Sequence, residues 1–159
     1  MTHTVVLELA CEQDAAIIAR LSRDLVEDGL PWSWTPQRVA GHITCAHSVV
    51  LCAKVGEALA GFGIMRFFDE RAHLNLLGVH PVYQSRGLGA KLLQWLERTA
   101  QTAGTFQITL EVRALNARAR AFYARQGYVE VKRMPGYYFG KESAVRMFRD
   151  LRVPVAHRR

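Results

Sequence analysis

Hydrophobic and polar positions along the chain follow two periods, and the changes from one to the other predict the order of its elements. Thr4 to Ala10 has the pattern of a strand, whereas apolar residues recur at helical spacing from Glu12 to Asp28. A second helix is predicted from Pro36 to Ala46, because Thr35 suits an N-cap and proline suits the first helical turn. A strand followed by two helices is therefore expected first.

Further strands are predicted in the middle of the chain. Ser48 to Val55 and Ala58 to Phe67 are apolar runs separated by only two residues, Gly56 and Glu57, which is typical of a hairpin. His73 to Val79 has the pattern of another strand. The middle of the chain is therefore expected to be an antiparallel meander.

The second half of the chain is predicted to alternate between helices and strands. Its predicted elements are a helix over Gly87 to Ala103, a strand over Phe106 to Val112, a helix from Asn116 to Gln126, and strands over Tyr128 to Arg133 and Ser143 to Leu151. Pro135 and Gly136 predict a loop between the last two strands. The whole order is then βααββββαβαββ or close to it, a mixed α/β sheet in one domain.

Length and charge narrow the class of protein. The chain has 159 residues, half of them hydrophobic and 22% charged, which fits one folded domain. Lys and Arg number 21 against 14 Asp and Glu, a net charge of +7, so the surface should attract phosphates, nucleic acid or acidic proteins. A solvated basic face is a simpler interpretation of this charge than dedicated nucleic-acid binding.

Membrane, secretion and metal signals are missing from the sequence. No apolar run approaches the roughly 20 residues of a spanning helix, and the N-terminus has no basic segment followed by an apolar one. Three cysteines, Cys11, Cys45 and Cys52, are scattered, which is typical of reduced thiols in the cytoplasm. His42 and His47 lack the spacing of a zinc site, so no metal is expected.

The turn after the meander is the most informative segment. The predicted strand ends at Val79, Pro81 stops it, and a turn containing Gly87 and Gly89 opens the next helix. The first N–H groups of a helix are unpaired and lie at its positive end, so such a turn suits a pyrophosphate. The segment lacks the signatures of the nucleotide P-loop and of the dinucleotide fold. A tight connection with no ligand is the alternative interpretation.

Two linked motifs resemble one known family. The turn Gln84-x-x-Gly87-x-Gly89 resembles the acetyl-CoA signature of the acetyltransferase (GNAT) family, and the segment from Leu110 to Tyr128 resembles that family's next strand and helix. The resemblance implies a GNAT-like fold, a single α/β (α+β) domain over residues 1–159. Its sheet would be mixed, mostly antiparallel and seven-stranded, flanked by about four helices.

Within the family the chain resembles the RimI-type protein N-terminal acetyltransferases. Glu111-Val-Arg recurs there, as do the Pro-Trp-Ser that begins at Pro31 and the Tyr-Tyr that begins at Tyr137. The resemblance is strong from Leu74 to Met147 and thin before residue 60. It implies an acetyl-CoA-dependent enzyme that acetylates a primary amine, above all the α-amine of a protein N-terminus.

The resemblance also implies which residues hold the cofactor. Main-chain groups of Leu77, Gly78 and Val79 would pair with the pantetheine arm. The residues implied for the pyrophosphate are Gln84, Ser85, Arg86, Gly87, Leu88, Gly89 and Ala90. Asn116 and Tyr123 would meet the far end of the pantetheine and the sulfur.

Two residues are predicted to move protons. Tyr123 is the candidate acid, because a phenol can protonate the departing thiolate; a core aromatic beside Phe122 is the alternative. Glu111 matches the family's base, acting directly or through water, and an α-amine with a pKa of about 8 needs less help than lysine. An ordinary strand glutamate paired with Arg113 or a neighbouring strand is the alternative for Glu111.

The acceptor site is the least specified part of the prediction. The residues expected to bind the acceptor, or else to cover the core, are Pro31, Trp32, Trp34, Tyr137 and Tyr138. The expected acceptor is a ribosomal or other protein N-terminus, with no requirement for nucleic acid or membrane. Alternatives are a small amine, such as a polyamine, an aminoglycoside or an amino-acid-like compound, and a basic binding module without turnover. Monomer and homodimer are both open.

Overall fold

Seven strands and four α-helices make up the regular structure of residues 4–155, the part of the chain that the computed structural model describes. The strands are β1 (Val5–Leu9), β2 (Ser48–Val55), β3 (Ala58–Phe67), β4 (Arg71–Val79), β5 (Gln107–Arg113), β6 (Val129–Tyr138) and β7 (Glu142–Asp150). The helices are α1 (Ala15–Leu25), α2 (Pro36–Thr44), α3 (Leu88–Thr102) and α4 (Ala117–Arg125). Short 3-10 helices cover Glu12–Asp14 and Pro81–Tyr83.

The strands form one sheet in the order β1-β2-β3-β4-β5-β7-β6. β4 and β5 are parallel, from Arg71 opposite Gln107 to Leu74 opposite Leu110. The pairs β1–β2, β2–β3, β5–β7 and β6–β7 are antiparallel. The prediction of a mixed, mostly antiparallel sheet of seven strands is confirmed.

Local capping signals predicted the starts of α2 and α4 correctly. The Thr35 side chain accepts a hydrogen bond from the Arg38 N–H at the start of α2, and Asn116 accepts one from the Ala119 N–H at the start of α4. The first helix is shorter than its apolar pattern predicted, because Glu12–Asp14 forms a 3-10 turn before α1 begins at Ala15. Both N-caps satisfy N–H groups that would otherwise have no partner.

Two details of the predicted order are wrong. Three strands, not four, lie between α2 and α3. Pro135 and Gly136 lie inside β6, although they were predicted to form a loop. β6 is at the edge of the sheet, where a proline need not donate to a neighbouring strand, and its register with β7 shifts between Met134 and Tyr138.

The described residues fall into two compact units. The first comprises residues 4–66 and Asn75–Thr99. Its apolar cluster is formed by α1, α2 and the first strands, and includes Ile18, Ala19, Trp34, Val39, Cys52, Phe62 and Ile64. This unit contains the turn that precedes α3.

The second unit comprises Phe67–Leu74 and residues 100–155. In β5 the side chains of Ile108, Leu110 and Val112 are buried, whereas Glu111 and Arg113 lie on the opposite, half-buried face. This alternation confirms the two faces predicted for the strand. The unit therefore presents Glu111 away from its apolar core.

Candidate active site

The turn between β4 and α3 has the backbone of an anion-binding segment. The His80 side chain accepts a hydrogen bond from the Val82 N–H at 3.2 Å, which caps the short 3-10 helix. Gln84 Nε2 donates to the Val79 carbonyl at 3.0 Å, so this side chain ties the turn to the end of β4. The segment is thus fixed at both sides before α3 begins.

Gly87 provides the test of whether a phosphate group fits this turn. Its φ is +77°, which side chains rarely tolerate, and a Cβ built at this position would meet no atom within 4 Å. Ser85 also has a positive φ, of 63°. The turn is exposed and leads directly into α3, whose first N–H groups have no helical partner. The residues present therefore fit a pyrophosphate at this helix N-terminus.

Glu111 lies at the centre of a polar cluster in the second unit. Its Oε1 atom lies 3.0 Å from His73 Nε2 of β4 and accepts from Tyr137 Oη of β6 at 2.9 Å. Its Oε2 atom accepts from Arg146 Nε at 3.2 Å, because Glu111 and Arg146 are directly opposite in the β5–β7 register. Both carboxylate oxygens therefore have partners.

Charge and hydrogen bonding decide the protonation state of Glu111. Burial raises the pKa of this carboxyl group, but the hydrogen bond and charge of His73, the Tyr137 hydroxyl and the Arg146 charge outweigh it and lower the pKa to about 2. Glu111 is consequently ionised at neutral pH. Arg113 is not its partner, since the Arg113 guanidinium pairs with Glu142.

His73 and Arg146 were not singled out from the sequence. His73 lies on the face of β4 opposite the buried Leu74, and Arg146 lies on the half-buried face of β7. Alternation of polar and apolar residues could have placed each on its face. Only the register of three strands brings both to Glu111, and the sequence pattern does not contain that register.

Tyr123 is buried on α4, with 9% of its surface exposed. Its ring packs edge-on against Phe122 and Tyr128, at centroid distances of 5.1 and 5.8 Å. Burial, with a contribution from Tyr138, raises the pKa of the phenol. The side chain is both a core aromatic and a protonated hydroxyl, so the predicted role of acid stays a prediction.

The two tryptophans of the α1–α2 loop that were predicted to bind the acceptor differ in exposure. Trp32 is 37% exposed, and Arg23 lies over its ring at 5.1 Å from the centroid. Trp34 is only 7% exposed, and Arg38 lies over its ring at 3.7 Å. Burial of Trp34 in the apolar cluster favours the alternative that this ring covers the core, and the acceptor roles of Trp34, Trp32 and the exposed Pro31 stay predictions.

Glu27 holds this loop and was also not identified from the sequence. Its buried carboxylate accepts from the Ser33 N–H at 2.9 Å, the Ser33 hydroxyl at 2.6 Å and the Trp34 N–H at 2.8 Å. The position of Glu27 near the end of a predicted amphipathic helix does not indicate that its carboxylate binds this loop. Its partners lie in a loop whose conformation the sequence pattern does not specify.

The tyrosine pair of β6 lies beside the Glu111 cluster. The Tyr137 ring is exposed while its hydroxyl binds Glu111, and the Tyr138 ring packs edge-on against it at 5.0 Å. Burial and the neighbouring Tyr137 and Glu111 raise the pKa of Tyr138. Their role in binding the acceptor stays a prediction.

Other site types find no support in the described part of the chain. Across residues 4–155, no group of three or more His, Cys, Asp or Glu side chains is placed to hold a metal ion. No helix within these residues is long and apolar enough to cross a membrane.

A comparison with known families shows that the chain belongs to the acetyltransferase (GNAT) family, which it matches over residues 18–128. The family predicted from the two motifs is confirmed, and the GNAT fold with it.

Individual proteins of known name are also similar to this chain. The [ribosomal protein bS18]-alanine N-acetyltransferase of Salmonella typhimurium is 37% identical over 94 residues, which are 57% of this chain and 64% of that protein. The N-alpha-acetyltransferase RimI of Mycobacterium tuberculosis is 31% identical over 143 residues, 86% of each chain. The crystal structure of the ribosomal-protein-S18-alanine N-acetyltransferase from Escherichia coli has a TM-score of 0.81 at 26% identity, covering 93% of this chain and 94% of that one. The match to the first relative thus spans a little under two thirds of its length.

Proposed function

We propose that the protein is an acetyl-CoA-dependent N-acetyltransferase whose acceptor is the α-amine of a protein or peptide N-terminus. The observation that supports this most directly is the turn before α3, in which Gly87 has a positive φ and open space in front of it. Membership of the GNAT family and the names of the similar proteins point to the same reaction.

Two segments of the chain would bind acetyl-CoA, one at its pantetheine arm and one at its pyrophosphate. Leu77, Gly78 and Val79 at the end of β4 offer main-chain groups to the pantetheine arm, and Val79 offers an N–H for the oxyanion. The residues from Gln84 to Ala90 bind the pyrophosphate. When bound, acetyl-CoA supplies the thioester from which the acetyl group is transferred.

The roles of Tyr123 and Glu111 depend on whether each side chain carries a proton. Tyr123 would be the acid for the departing thiolate, and its raised pKa keeps the phenol protonated at neutral pH. Asn116 uses its side-chain oxygen to cap α4 and thereby fixes the start of the helix that contains Tyr123. The ionised Glu111 accepts hydrogen bonds at the place where the amine must lose a proton.

The acceptor is proposed from the similar proteins and from the exposed side chains. In the first unit Pro31 and Trp32 offer exposed surface for a peptide, and in the second unit the Tyr137–Tyr138 pair offers exposed or half-buried surface. A ribosomal protein N-terminus agrees with the names of the bacterial relatives, and it would place the reaction in the cytoplasm.

A peptide panel tests the acceptor class. Peptides with a free N-terminal alanine, the same peptides blocked at the N-terminus but containing lysine, and small polyamines would be incubated with labelled acetyl-CoA. Mass spectrometry should locate the acetyl group on the α-amine of the free peptides. Acetylation confined to lysine or to polyamines would contradict the proposed acceptor.

A further inference from the structure

We propose that His73 takes the proton from the acceptor amine and that Glu111 is a positioning residue that orients the His73 ring. The proposal rests on the proposed N-acetyltransferase function and reassigns the base within it. It is carried by the geometry of one cluster, in which a buried carboxylate lies behind a more exposed imidazole.

The arrangement around Glu111 leaves the carboxylate little capacity to accept a proton. Three donors from three strands, His73, Tyr137 and Arg146, lie at 2.9–3.2 Å from its two oxygens. The Glu111 side chain is 8% exposed, whereas that of His73 is 26% exposed. A molecule that approaches this cluster from solvent can reach the imidazole more readily than the carboxylate.

The hydrogen bond between the two residues fixes the tautomer of the histidine. An ionised carboxylate can only accept, so the hydrogen in the His73–Glu111 bond belongs to Nε2. In this tautomer a neutral imidazole has its lone pair on Nδ1. Within residues 4–155, His73 Nδ1 forms no hydrogen bond, and the His73 side chain is 26% exposed, so Nδ1 is the ring atom to which we assign the amine proton.

The proton balance is simple. The α-ammonium group of the acceptor transfers one proton to Nδ1, which gives a neutral amine and an imidazolium. The imidazolium is stabilised by the Glu111 carboxylate at Nε2 and later returns its proton to water. The neutral amine would use its freed electron pair to attack the acetyl carbon, and the C–S bond would break as the C–N bond forms. The leaving thiolate would take a proton from Tyr123, and the second proton lost by the amine nitrogen would restore the Tyr123 hydroxyl through solvent.

Charges near the ring favour this division of roles. The hydrogen bonds from His73 and Tyr137 and the charge of Arg146 keep Glu111 ionised, and Tyr138, whose ring packs against Tyr137, is a further titratable group near Glu111. The hydrogen bonds and charges around Glu111 hold its pKa below its ordinary value, so direct transfer of the amine proton to this carboxylate is uphill.

The decisive experiment compares His73→Gln with Glu111→Gln in pH–rate profiles on a peptide with a free N-terminus. A glutamine at position 73 can still donate to Glu111 but cannot take a proton. His73→Gln should therefore lower kcat/KM about 10²-fold at pH 6.5, and the loss should shrink above pH 8, where the α-amine is neutral without help. Glu111→Gln retains the imidazole and should lose less, with the wild-type pH dependence preserved.

His47→Gln is the matched control, because His47 is exposed and lies outside the cluster, and it should stay within about twofold of wild type. A His73→Gln protein with the wild-type rate, or with a loss that does not vary with pH, overturns the proposal. Absence of product with the wild-type protein overturns the proposed function itself. Product with wild type and no effect of His73→Gln overturns only the assignment to His73.

A second measurement needs no turnover and no variant. Diethyl pyrocarbonate modifies neutral imidazoles, and mass spectrometry of the wild-type protein would locate the modified rings. His73 should be modified in the free protein and protected by a peptide with a free N-terminus, while the same peptide acetylated in advance should protect it less. His47 should be modified in every sample. Modification of His73 that the free peptide does not reduce would contradict contact between the imidazole and the acceptor.

Discussion

Ionisation of Glu111 contributes to stability as well as to chemistry. Its pKa is about 2 in the folded protein against an ordinary 4.5, so the folded state releases this proton more readily than the unfolded chain. The contribution is fully present above pH 4.5 and is lost as the pH falls through about 2. At 1.36 kcal/mol per pKa unit it is on the order of 2–3 kcal/mol, allowing for some solvent screening.

Urea unfolding of wild type and Glu111→Gln between pH 7 and pH 2 tests this coupling. The difference between their free energies of unfolding should be largest at neutral pH and should narrow by about 2–3 kcal/mol as the pH falls from 5 to 2. A difference that stays constant over this range would mean that the hydrogen-bond partners of Glu111 do not lower its pKa in the folded protein.

Tyr123→Phe separates the two roles of the buried tyrosine. Only a hydroxyl is removed, so the fold and most of the affinity for acetyl-CoA should remain, while kcat should fall about 10²-fold through loss of the general acid. Tyr128→Phe is the matched control, because Tyr128 is buried against the same ring. Equal kcat values for the two variants, with chemistry limiting the rate, would leave Tyr123 as a core aromatic only.

Sequence patterns predicted single residues where the signal is local. The cap residues Thr35 and Asn116 needed only their neighbours, and the two faces of β5 needed only alternation. The contact of His73 could be predicted only from the register of the strands, and the contact of Glu27 only from the conformation of the α1–α2 loop. No local pattern contains that information.

At the scale of elements, the N-terminus of α3 is the feature on which cofactor binding depends. Gly87→Val places a β-branched side chain at a positive φ and in front of the helix N-terminus, so the affinity for acetyl-CoA measured by calorimetry should fall at least tenfold. Gly104→Val is a matched control, since Gly104 has a φ of +80° and open space after the other end of α3. Both variants should lose roughly 1–2 kcal/mol of stability, but only Gly87→Val should lose affinity. Wild-type affinity in Gly87→Val would contradict the placement of the pyrophosphate.

The α1–α2 loop should depend on Glu27. Glu27→Ala leaves the N–H groups of Ser33 and Trp34 without their acceptor, so the free energy of unfolding should fall by about 2–3 kcal/mol. KM for the acceptor peptide should rise more than kcat falls, because Trp32 lies in the same loop. Glu57→Ala in the exposed β2–β3 turn should change neither quantity. A rise in KM for acetyl-CoA instead would place the loop at the cofactor.

Elements were predicted well where capping and periodicity agreed and poorly where edge position decided. The boundaries of α2 and β2 follow their local signals within a few residues. β6 continues through Pro135 because it lies at the sheet edge, a property of the assembled sheet that proline alone does not reveal.

At the scale of the whole molecule, acetyl-CoA should raise the melting temperature. A ligand at 100 times its Kd adds about 2.7 kcal/mol to a protein that binds it only when folded, or roughly 5–11 °C for a chain of this length. The increase should grow with concentration in a thermal melt. A basic binding module without turnover that ignores the cofactor would show no increase, and Gly87→Val provides the same contrast within one protein.

The parallel pairing of β4 with β5 also bears on how the chain folds. The β2–β3 and β6–β7 hairpins join neighbouring segments, so they can form early and locally. Leu74 can meet Leu110 only after the intervening chain, including α3, has closed a long loop at an entropic cost. His73 lies on β4 and Glu111 on β5, so their contact also requires this loop to close. We therefore expect their contact to form late on the folding pathway, so that catalytic competence appears after most secondary structure is in place.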